Sequence, residues 1–481
     1  MAQVTSVQPL IVSTAVQRWK AYLLTPVDGA SVAAFRILFG TLMGWEVARY
    51  FAHGWIERYY LAPKFHFTYP FLDFLRPWPG DGMYLHFAVM GLLALLIALG
   101  LLYRLSAALF FLAFTYVFLL DKAYYLNHSY LIILLSFLLC LIPAHRAASL
   151  DRWLFWKTQP AVVPQWSVLL LRAQVFVVYF YAGLAKLNGD WLQGEPMRMW
   201  LAERSDFPYV GHFFTEEWMV FLFAYGGLLF DLGIGFLLSW KRTRLPAIAL
   251  AGLFHLINSQ LFSIGIFPPL AFSATLIFAE PDWPRRVLGV VGRSSAWLQA
   301  STQRMAGPLA GVPTASPPSG SAMLVFIHLY LLAQLLIPLR HMLYRGNVSW
   351  TEEGHRFAWH MKLRTKDTIL RIYVTDARTG ETWEVSPAAD LSARQLDEMQ
   401  TRPDMVLQYA HYLADRWTAG SQPRPIIRVD QQVSLNGRSP QALIDPTVNL
   451  AEVPFSLGPA SWLLPLTVPL RSRSDAVSAG R

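Results

Sequence analysis

Cysteine and charge are both scarce in this sequence. Cys140 is the single cysteine among 481 residues, so the chain cannot form an intrachain disulfide, a thiolate zinc site or a CxxC redox centre. Charged residues make up 15% of the chain, whereas soluble globular proteins carry about a quarter. Because 54% of the residues are hydrophobic, the composition predicts a membrane protein.

The net charge of +9 does not indicate a nucleic-acid partner. The cations lie in short loops between apolar segments and form no basic stripe along a recognition helix. We therefore expect the lipid bilayer as a partner and no nucleic acid. The N-terminus lacks a short apolar core followed by a small-residue cleavage site, which predicts that the first span is an uncleaved anchor.

Apolar segments long enough to cross about 30 Å of hydrocarbon predict about nine transmembrane helices. Their approximate bounds are 31–51, 83–103, 106–122, 126–143, 166–187, 217–240, 245–262, 264–280 and 322–343. The pair within 245–280 is ambiguous, because its polar residues and the Pro268-Pro269 step also suit one broken helix.

The distribution of Lys and Arg predicts the orientation. Loops on the N-terminal side carry more of them, so the N-terminal segment 1–30 and a linker at about 284–321 are expected in the cytoplasm. Within this linker, Ala306–Gly320 is rich in Pro, Gly, Ser and Ala. A transmembrane catalytic domain then covers 31–343. An odd number of spans places a domain at 344–466 outside the cytoplasm, and a polar, disordered tail follows at 467–481.

The C-terminal domain is predicted to be mixed α/β and strand-rich. Alternating apolar residues at 357–363 and 369–374 indicate strands. A turn at Arg378-Thr379-Gly380 predicts a hairpin, 392–417 has a helical pattern, and Pro425–Val433 suits another strand. The predicted fold class is thus a polytopic α-helical membrane protein with a C-terminal extracytoplasmic mixed α/β domain.

Ionisable residues within spans are costly and are therefore candidates for function. Lys186 ends an apolar and aromatic run near the outer interface. It either snorkels to water or is a desolvated amine that can act as a base. For Arg36, Glu46 and Arg49 in the first span, a structural ion-pair network is as good an explanation as a site. Asp231 is better explained as a buried, paired group.

Further polar residues fall at the same outer level. Asn127 and His128 begin the fourth span, and His341 ends the last one. His255, Asn258 and Ser259 are spaced to share one helical face. We expect these segments to converge, although a single histidine is more often a structural group.

The residues around these positions closely resemble those of the vitamin K-dependent γ-glutamyl carboxylase family. The resemblance extends from about 30 to 465 and thus covers nearly the whole chain. The segments that carry it are Phe35–Gly40, Leu119–Lys122, Asn127–Leu131, Tyr179–Gly183 with Lys186-Leu187 and Asp190-Trp191, His255 with Asn258–Gly265, Trp283–Arg285, Trp350-Thr351, Trp359, Arg378–Glu381, Asp445-Pro446 and Trp462.

This resemblance implies a peptidyl-glutamate 4-carboxylase. Such an enzyme oxygenates vitamin K hydroquinone, a menaquinol or phylloquinol, to the 2,3-epoxide and adds CO2 to the γ-carbon of a protein glutamate; O2 and CO2 are co-substrates, and no metal is implied. A γ-proton beside a carboxylate is too weakly acidic for any side-chain base, so the base must come from the cofactor.

The resemblance also implies roles for individual residues. Lys186, as a neutral amine, deprotonates the hydroquinone, and His128 acts in the glutamate step. Asn127 holds the quinol oxygen or the substrate carboxylate. His255, Asn258 and Ser259 border the quinone. A glutamate carboxylate needs cationic or hydrogen-bonding donors, for which the candidates are Arg198, Arg204, Arg394, His341 and Trp359.

The chain also departs from its animal relatives. It is shorter, and its single cysteine excludes the disulfide that joins their membrane and luminal parts, so propeptide recognition is in doubt. Ala185 stands where the animal enzymes have the first lysine of Lys-Lys-Leu. The absence of targeting signals suggests a homologue in a bacterial cytoplasmic membrane, although the endoplasmic reticulum membrane would give the same topology.

Two other functions remain open at this stage. An enzyme that epoxidises vitamin K without carboxylating protein would need the same quinol site. A transporter or lipid-binding scaffold would show two related halves around a midplane site, but no internal repeat is visible.

Overall fold

The computed structural model describes residues 8–291, 320–420 and 422–470. The α-helices are α1 Gln8–Leu24, α2 Ala30–Ala52, α3 Gly82–Leu99, α4 Tyr103–Leu120, α5 Asn127–Leu141, α6 Leu150–Phe155, α7 Gln165–Ala185, α8 Gly189–Leu192, α9 Met197–Ala202, α10 Glu217–Ser239, α11 Arg244–Leu261, α12 Phe267–Thr275, α13 Trp283–Val291, α14 Gly320–Leu336, α15 Val348–Thr351, α16 Ala393–Thr401 and α17 Pro403–Ala419. The strands are β1 Pro26–Asp28, β2 Val162–Pro164, β3 Lys366–Thr375, β4 Thr382–Val385, β5 Ile426–Leu435 and β6 Gln441–Ala442.

The N-terminal part is a helical bundle of membrane-spanning type. Within the described residues, six helical segments are long and apolar enough to cross a bilayer: Ala30–Ala52, Gly82–Leu99, Tyr103–Leu120, Gln165–Ala185, Glu217–Ser239 and Ala322–Leu343. Large apolar side chains such as Leu85 and Leu92 are exposed on the outside of α3, where hydrocarbon replaces water. The chain is therefore a polytopic helical membrane protein with a strand-containing C-terminal region.

The predicted count of nine spans is not confirmed. Two of the remaining predicted spans, Asn127–Leu141 and Phe267–Phe278, are apolar but shorter, and α11 is not among the six candidates. In the ambiguous stretch 245–280, the structure has two separate helices. The Tyr179 hydroxyl contacts both His255 on α11 and Thr275 on α12. The two helices therefore lie side by side.

Arg36 holds α2 to the end of α3. Its guanidinium donates to the carbonyl oxygens of Ile97 and Ala98 at 2.7 and 2.8 Å. Glu46 and Arg49 pair with each other at 2.7 Å, one turn apart. Arg36 therefore has a structural role and does not form an ion-pair network with Glu46 and Arg49.

Helices α7 and α10 approach closely at Gly183. A Cβ atom at this position would lie 2.7 Å from the backbone nitrogen of Leu232, so only glycine permits this backbone contact. The close approach places the end of α7, with Lys186, against the middle of α10, with Asp231.

The C-terminal region contains a four-stranded antiparallel sheet in the order β4-β3-β5-β6. The long pair β3 and β5 runs in register from Lys366 opposite Leu435 to Thr375 opposite Ile426. Helices α16 and α17 cover the sheet, with buried residues such as Met405 packed on its inner face. This region thus buries an apolar core to which Phe67 and Ala123 of the N-terminal part also contribute.

The predictions for this region were partly right. The hairpin is confirmed, with Thr375 opposite Thr382, and the strand at Pro425–Val433 corresponds to β5. The predicted helix 392–417 is two helices, because Pro403 starts a new one after Arg402. The strand predicted at 357–363 is wrong, as this segment is irregular. Most of the predicted linker and tail lies outside the described residues.

Candidate active site

A cavity of about 940 Å³ lies where the bundle meets the C-terminal region. Its wall is formed by the ends of α2, α5 and α7, the middle of α10, the turn after α11, the segment 361–364 and helix α16. The polar residues that line it are Glu46, Arg49, Asn127, His128, Lys186, Asp231, His255, Asn258, Ser263, Lys362, Arg364, Arg394 and Glu398. The cavity therefore collects most of the polar residues predicted from the sequence.

Lys186 is buried and paired at the edge of this cavity. It is 7% exposed, and its Nζ donates to Asp231 Oδ2 at 2.5 Å and to the Ala182 carbonyl at 3.2 Å. The amine also lies 5.3 Å from the centre of the Trp191 ring. Snorkelling does not describe this residue, because its amine points to a carboxylate within the protein and not to water. Asp231, expected to be paired, has Lys186 as its partner.

The segment after Lys186 is fixed from two sides. Trp191 donates its indole N–H to the Ala224 carbonyl of α10 at 2.8 Å. Asp190 accepts hydrogen bonds from the Arg438 guanidinium at 2.6 and 2.7 Å and from Asn436 Nδ2 at 2.7 Å. The C-terminal region thus holds helix α8, which carries the Trp191 ring over the Lys186 amine.

Asn127 and His128 enter the cavity at the start of α5. Asn127 Nδ2 donates to the His360 carbonyl at 3.1 Å, and its Oδ1 accepts from the Tyr125 hydroxyl at 3.1 Å. The His128 ring packs 6.3 Å from the Phe267 ring and has no hydrogen-bond partner among the described residues. Asn127 is oriented by the protein, whereas the His128 imidazole is available to a ligand.

The predicted quinone-bordering residues separate into two groups. His255 is 3% exposed, and its Nε2 lies 2.7 Å from the Tyr179 hydroxyl, which also contacts Thr275 Oγ1 at 2.9 Å. Asn258 lines the cavity as well. Ser259 does not, because it is exposed and bonds to the Leu256 carbonyl of its own helix at 2.7 Å.

Of the predicted substrate-binding residues, the structure brings only Arg394 into the cavity. Its guanidinium carbon lies 5.7 Å and 5.6 Å from the centres of the Tyr59 and Tyr124 rings. Arg198 is engaged by Glu195 and Glu217 elsewhere, and Arg204 does not line the cavity.

The other two candidates for substrate binding have local partners. Trp359 is fully buried and stacks on Tyr130 with ring centres 5.0 Å apart. His341 contacts the Pro338 carbonyl at 2.8 Å and packs against His360. A direct role in holding substrate is thus less well supported for these residues than for Arg394.

A buried charge cluster supports the segment that covers the cavity. Glu352 pairs with Arg364 and Lys366 and is 7% exposed. Burial by itself raises the pKa of Glu352, but Arg364 and Lys366 outweigh it and hold that pKa well below its usual range. Burial lowers the pKa of Lys366 to about 8 against the opposing effect of Glu352. The cluster fixes Arg364, which lines the cavity.

The sequence did not single out Lys362, Arg364 or Glu398 as site residues. Each lies in the C-terminal region, and no apolar span draws attention to a charge there. Glu46 and Arg49 are visible in the sequence as charges within an apolar span. Their spacing along one helix does not show that they line a cavity. Within the described residues, no cluster of His, Cys, Asp and Glu is suited to a metal ion.

Two family models match this chain. The family model described as HTTM domain matches residues 24–283. The model described as the lumenal domain of vitamin K-dependent gamma-carboxylase matches residues 319–468. No solved structure matches the chain.

Proposed function

Because the chain belongs to the vitamin K-dependent carboxylase family, we propose that it is a γ-glutamyl carboxylase. In this proposal it converts a protein glutamate to γ-carboxyglutamate and couples that step to oxygenation of vitamin K hydroquinone to the epoxide. O2 and CO2 are the co-substrates. The observation that carries the proposal is the single cavity that holds Lys186, Asp231, Asn127 and His128 together.

The cavity suits a reduced naphthoquinone. Its volume of about 940 Å³ is at the upper end for small-molecule sites, and Phe254, Phe262 and Phe267 supply apolar walls near the polar groups. Leu222 and Gly226 on α10 and Ile257 on α11 line the cavity and are exposed, as an opening toward lipid between these two helices would require. This opening, which we call the lateral window, would let an isoprenoid tail extend into lipid.

In this site Lys186 Nζ acts as the base toward a bound hydroxyl group. To accept a proton, the amine must first be neutral, and Asp231 Oδ2 at 2.5 Å is the acceptor within reach. The Trp191 ring covers the amine and limits access of water. When bound and oxygenated, reduced vitamin K supplies the strong base that no side chain of this chain can supply.

The glutamate is held by groups on the other side of the cavity. Arg394 offers a guanidinium to its carboxylate, and the His128 imidazole, which has no hydrogen-bond partner among the described residues, acts at this step. Asn127 retains one amide hydrogen for a ligand oxygen. With the active site at the outer level, the segment 344–466 lies outside the cytoplasm, in a bacterial cytoplasmic membrane or in the corresponding topology of the endoplasmic reticulum.

The test uses membranes that contain the full chain. Reduced vitamin K, labelled bicarbonate and a glutamate peptide are supplied, and the epoxide and the peptide-bound label are measured separately. Both products are expected in a fixed ratio. If epoxide forms but the peptide carries no label, the protein is a vitamin K epoxidase and not a carboxylase. If neither product forms, both functions are ruled out.

A further inference from the structure

The cavity carries positive charge that the protein itself does not neutralise. Its cationic side chains are Arg49, Lys186, Lys362, Arg364 and Arg394. Arg49 pairs with Glu46 at 2.7 Å, Lys186 pairs with Asp231, and Arg364 pairs with Glu352. The remaining carboxylate of the wall, Glu398, pairs with Arg402. Among the described residues, Lys362 and Arg394 therefore form no ion pair with a carboxylate, although the Glu203 carboxylate attracts Lys362 from beyond ion-pair distance.

Aromatic rings hold these two cations in place without cancelling their charge. Arg394 lies over Tyr59 and Tyr124, as described above. Lys362 Nζ lies 5.2 Å from the centre of the Trp200 ring and 5.7 Å from that of Phe262. Trp200 is itself anchored by its indole N–H on Thr365 Oγ1 at 2.9 Å. A cation on such rings is positioned and remains able to bind an anion.

The two cations occupy different depths. Arg394 is partly buried, whereas Lys362 is exposed at the rim. Lys362 also has a backbone φ of +48°, in an irregular segment where Phe357 and Trp359 have positive φ as well. Such a conformation is uncommon for residues other than glycine, so the surrounding packing fixes the position of Lys362 at the rim.

We propose that Lys362 binds a second carboxylate of the peptide, on an acidic residue next to the glutamate that enters the cavity. This inference rests on the proposed function. Arg394 then takes the target carboxylate inside, and Lys362 takes the neighbouring one at the water-exposed rim. The site is thereby selective for acidic peptides, even though one carboxylate is enough for the chemistry.

Binding of two peptides in the absence of vitamin K tests this selectivity. Both peptides contain one central glutamate, which is flanked by aspartates in the first and by asparagines in the second. Fluorescence anisotropy with the full chain in lipid nanodiscs gives the two dissociation constants. We expect the first peptide to bind about fivefold more tightly, as for one exposed ion pair of about 1 kcal/mol.

Substitution of the lysine identifies the group responsible. Lys362→Met should reduce the preference to about one, and Lys362→Arg should retain it. Lys157 is a matched control, because its amine also lies over a tryptophan ring, 4.8 Å from the centre of Trp153, but does not line the cavity. Lys157→Met should therefore keep the preference.

The outcomes separate this inference from the proposed function. Equal binding of both peptides to the unmodified chain, or an unchanged preference in Lys362→Met, would overturn the role of Lys362. A preference that disappears only in Lys362→Met would support it, even if the same preparation incorporated no label. Failure of turnover would thus count against the carboxylase alone.

Discussion

The Asp190 carboxylate accepts hydrogen bonds from both terminal nitrogens of the Arg438 guanidinium, at 2.6 and 2.7 Å. Both side chains are largely buried, at 12% and 8% exposure. The pair joins helix α8, which follows Lys186, to the turn that follows β5. It is therefore a direct mechanical link between the C-terminal region and the amine in the cavity.

Arg438→Gln is expected to break this link. Removing one partner leaves the Asp190 charge buried, so the free energy of unfolding should fall by about 3 kcal/mol. Epoxide formation should fall with it, because the Trp191 ring is no longer held over Lys186. Thermal unfolding and epoxide formation measured on one preparation check both effects. Arg424→Gln removes a comparable but exposed pair with Asp415 and should cost less than about 1 kcal/mol; equal losses in the two variants would contradict this explanation.

Lys186→Met combined with Asp231→Leu should separate activity from stability. The single Lys186 substitution leaves a buried carboxylate unpaired, which destabilises the protein as well as removing the base. The double variant replaces the whole ion pair by apolar groups, a change that is often neutral or stabilising. We expect a thermal unfolding midpoint near that of the unmodified chain and a loss of epoxide formation of at least about 100-fold. Retained turnover in the stable double variant would refute the role of Lys186.

Gly183→Ala should push α7 and α10 apart. The new methyl group would meet the Leu232 backbone at 2.7 Å, and overpacking of this kind costs about 1–3 kcal/mol. The Lys186 to Asp231 contact should loosen, with a matching loss of activity. Gly233→Ala, on α10 next to Leu232, is the control, since nothing lies within 4 Å of its added carbon. It should leave stability unchanged or raise it by up to about 1 kcal/mol, and the comparison would fail if both substitutions acted alike.

Glu352 predicts an acid-dependent loss of stability. Its folded pKa lies below the unfolded value of about 4.3, so the unfolded chain binds more protons in acid. The stabilisation is therefore complete above about pH 4.3 and declines as the pH falls toward the folded pKa. Unfolding by urea as a function of pH should be less pH-dependent in this range for Glu352→Gln, which is also expected to be less stable at neutral pH by about 3 kcal/mol. Glu381→Gln, at an exposed position, should retain the slope of the unmodified chain.

Much of the site could be predicted from the sequence because its polar residues lie in apolar surroundings. An ionisable side chain costs free energy in such surroundings, and this distinguishes Lys186, His128 and His255. Their partners could not be predicted, since Asp231 lies 45 residues from Lys186 and a helical pattern does not reveal which helices touch. Ser259 was grouped with His255 by spacing, but it lies on the exposed side near the end of α11.

The C-terminal region was harder to predict, for a different reason. The apolar alternation at 357–363 is typical of a strand, yet Trp359 is buried against Tyr130 of the bundle. The segment 357–363 packs against the bundle and is not a strand of the sheet. Three of its residues, Phe357, Trp359 and Lys362, have positive φ values, which a strand does not contain. Local pattern cannot predict a conformation that another part of the chain imposes.

The lateral window between Leu222, Gly226 and Ile257 has a kinetic consequence. A hydrophobic ligand that enters there arrives from the bilayer, so its effective concentration is its mole fraction in lipid and not its aqueous concentration. A peptide would approach from the exposed rim near Lys362. Two separate entrances would let the two ligands associate in random order, so that neither has to leave before the other exchanges.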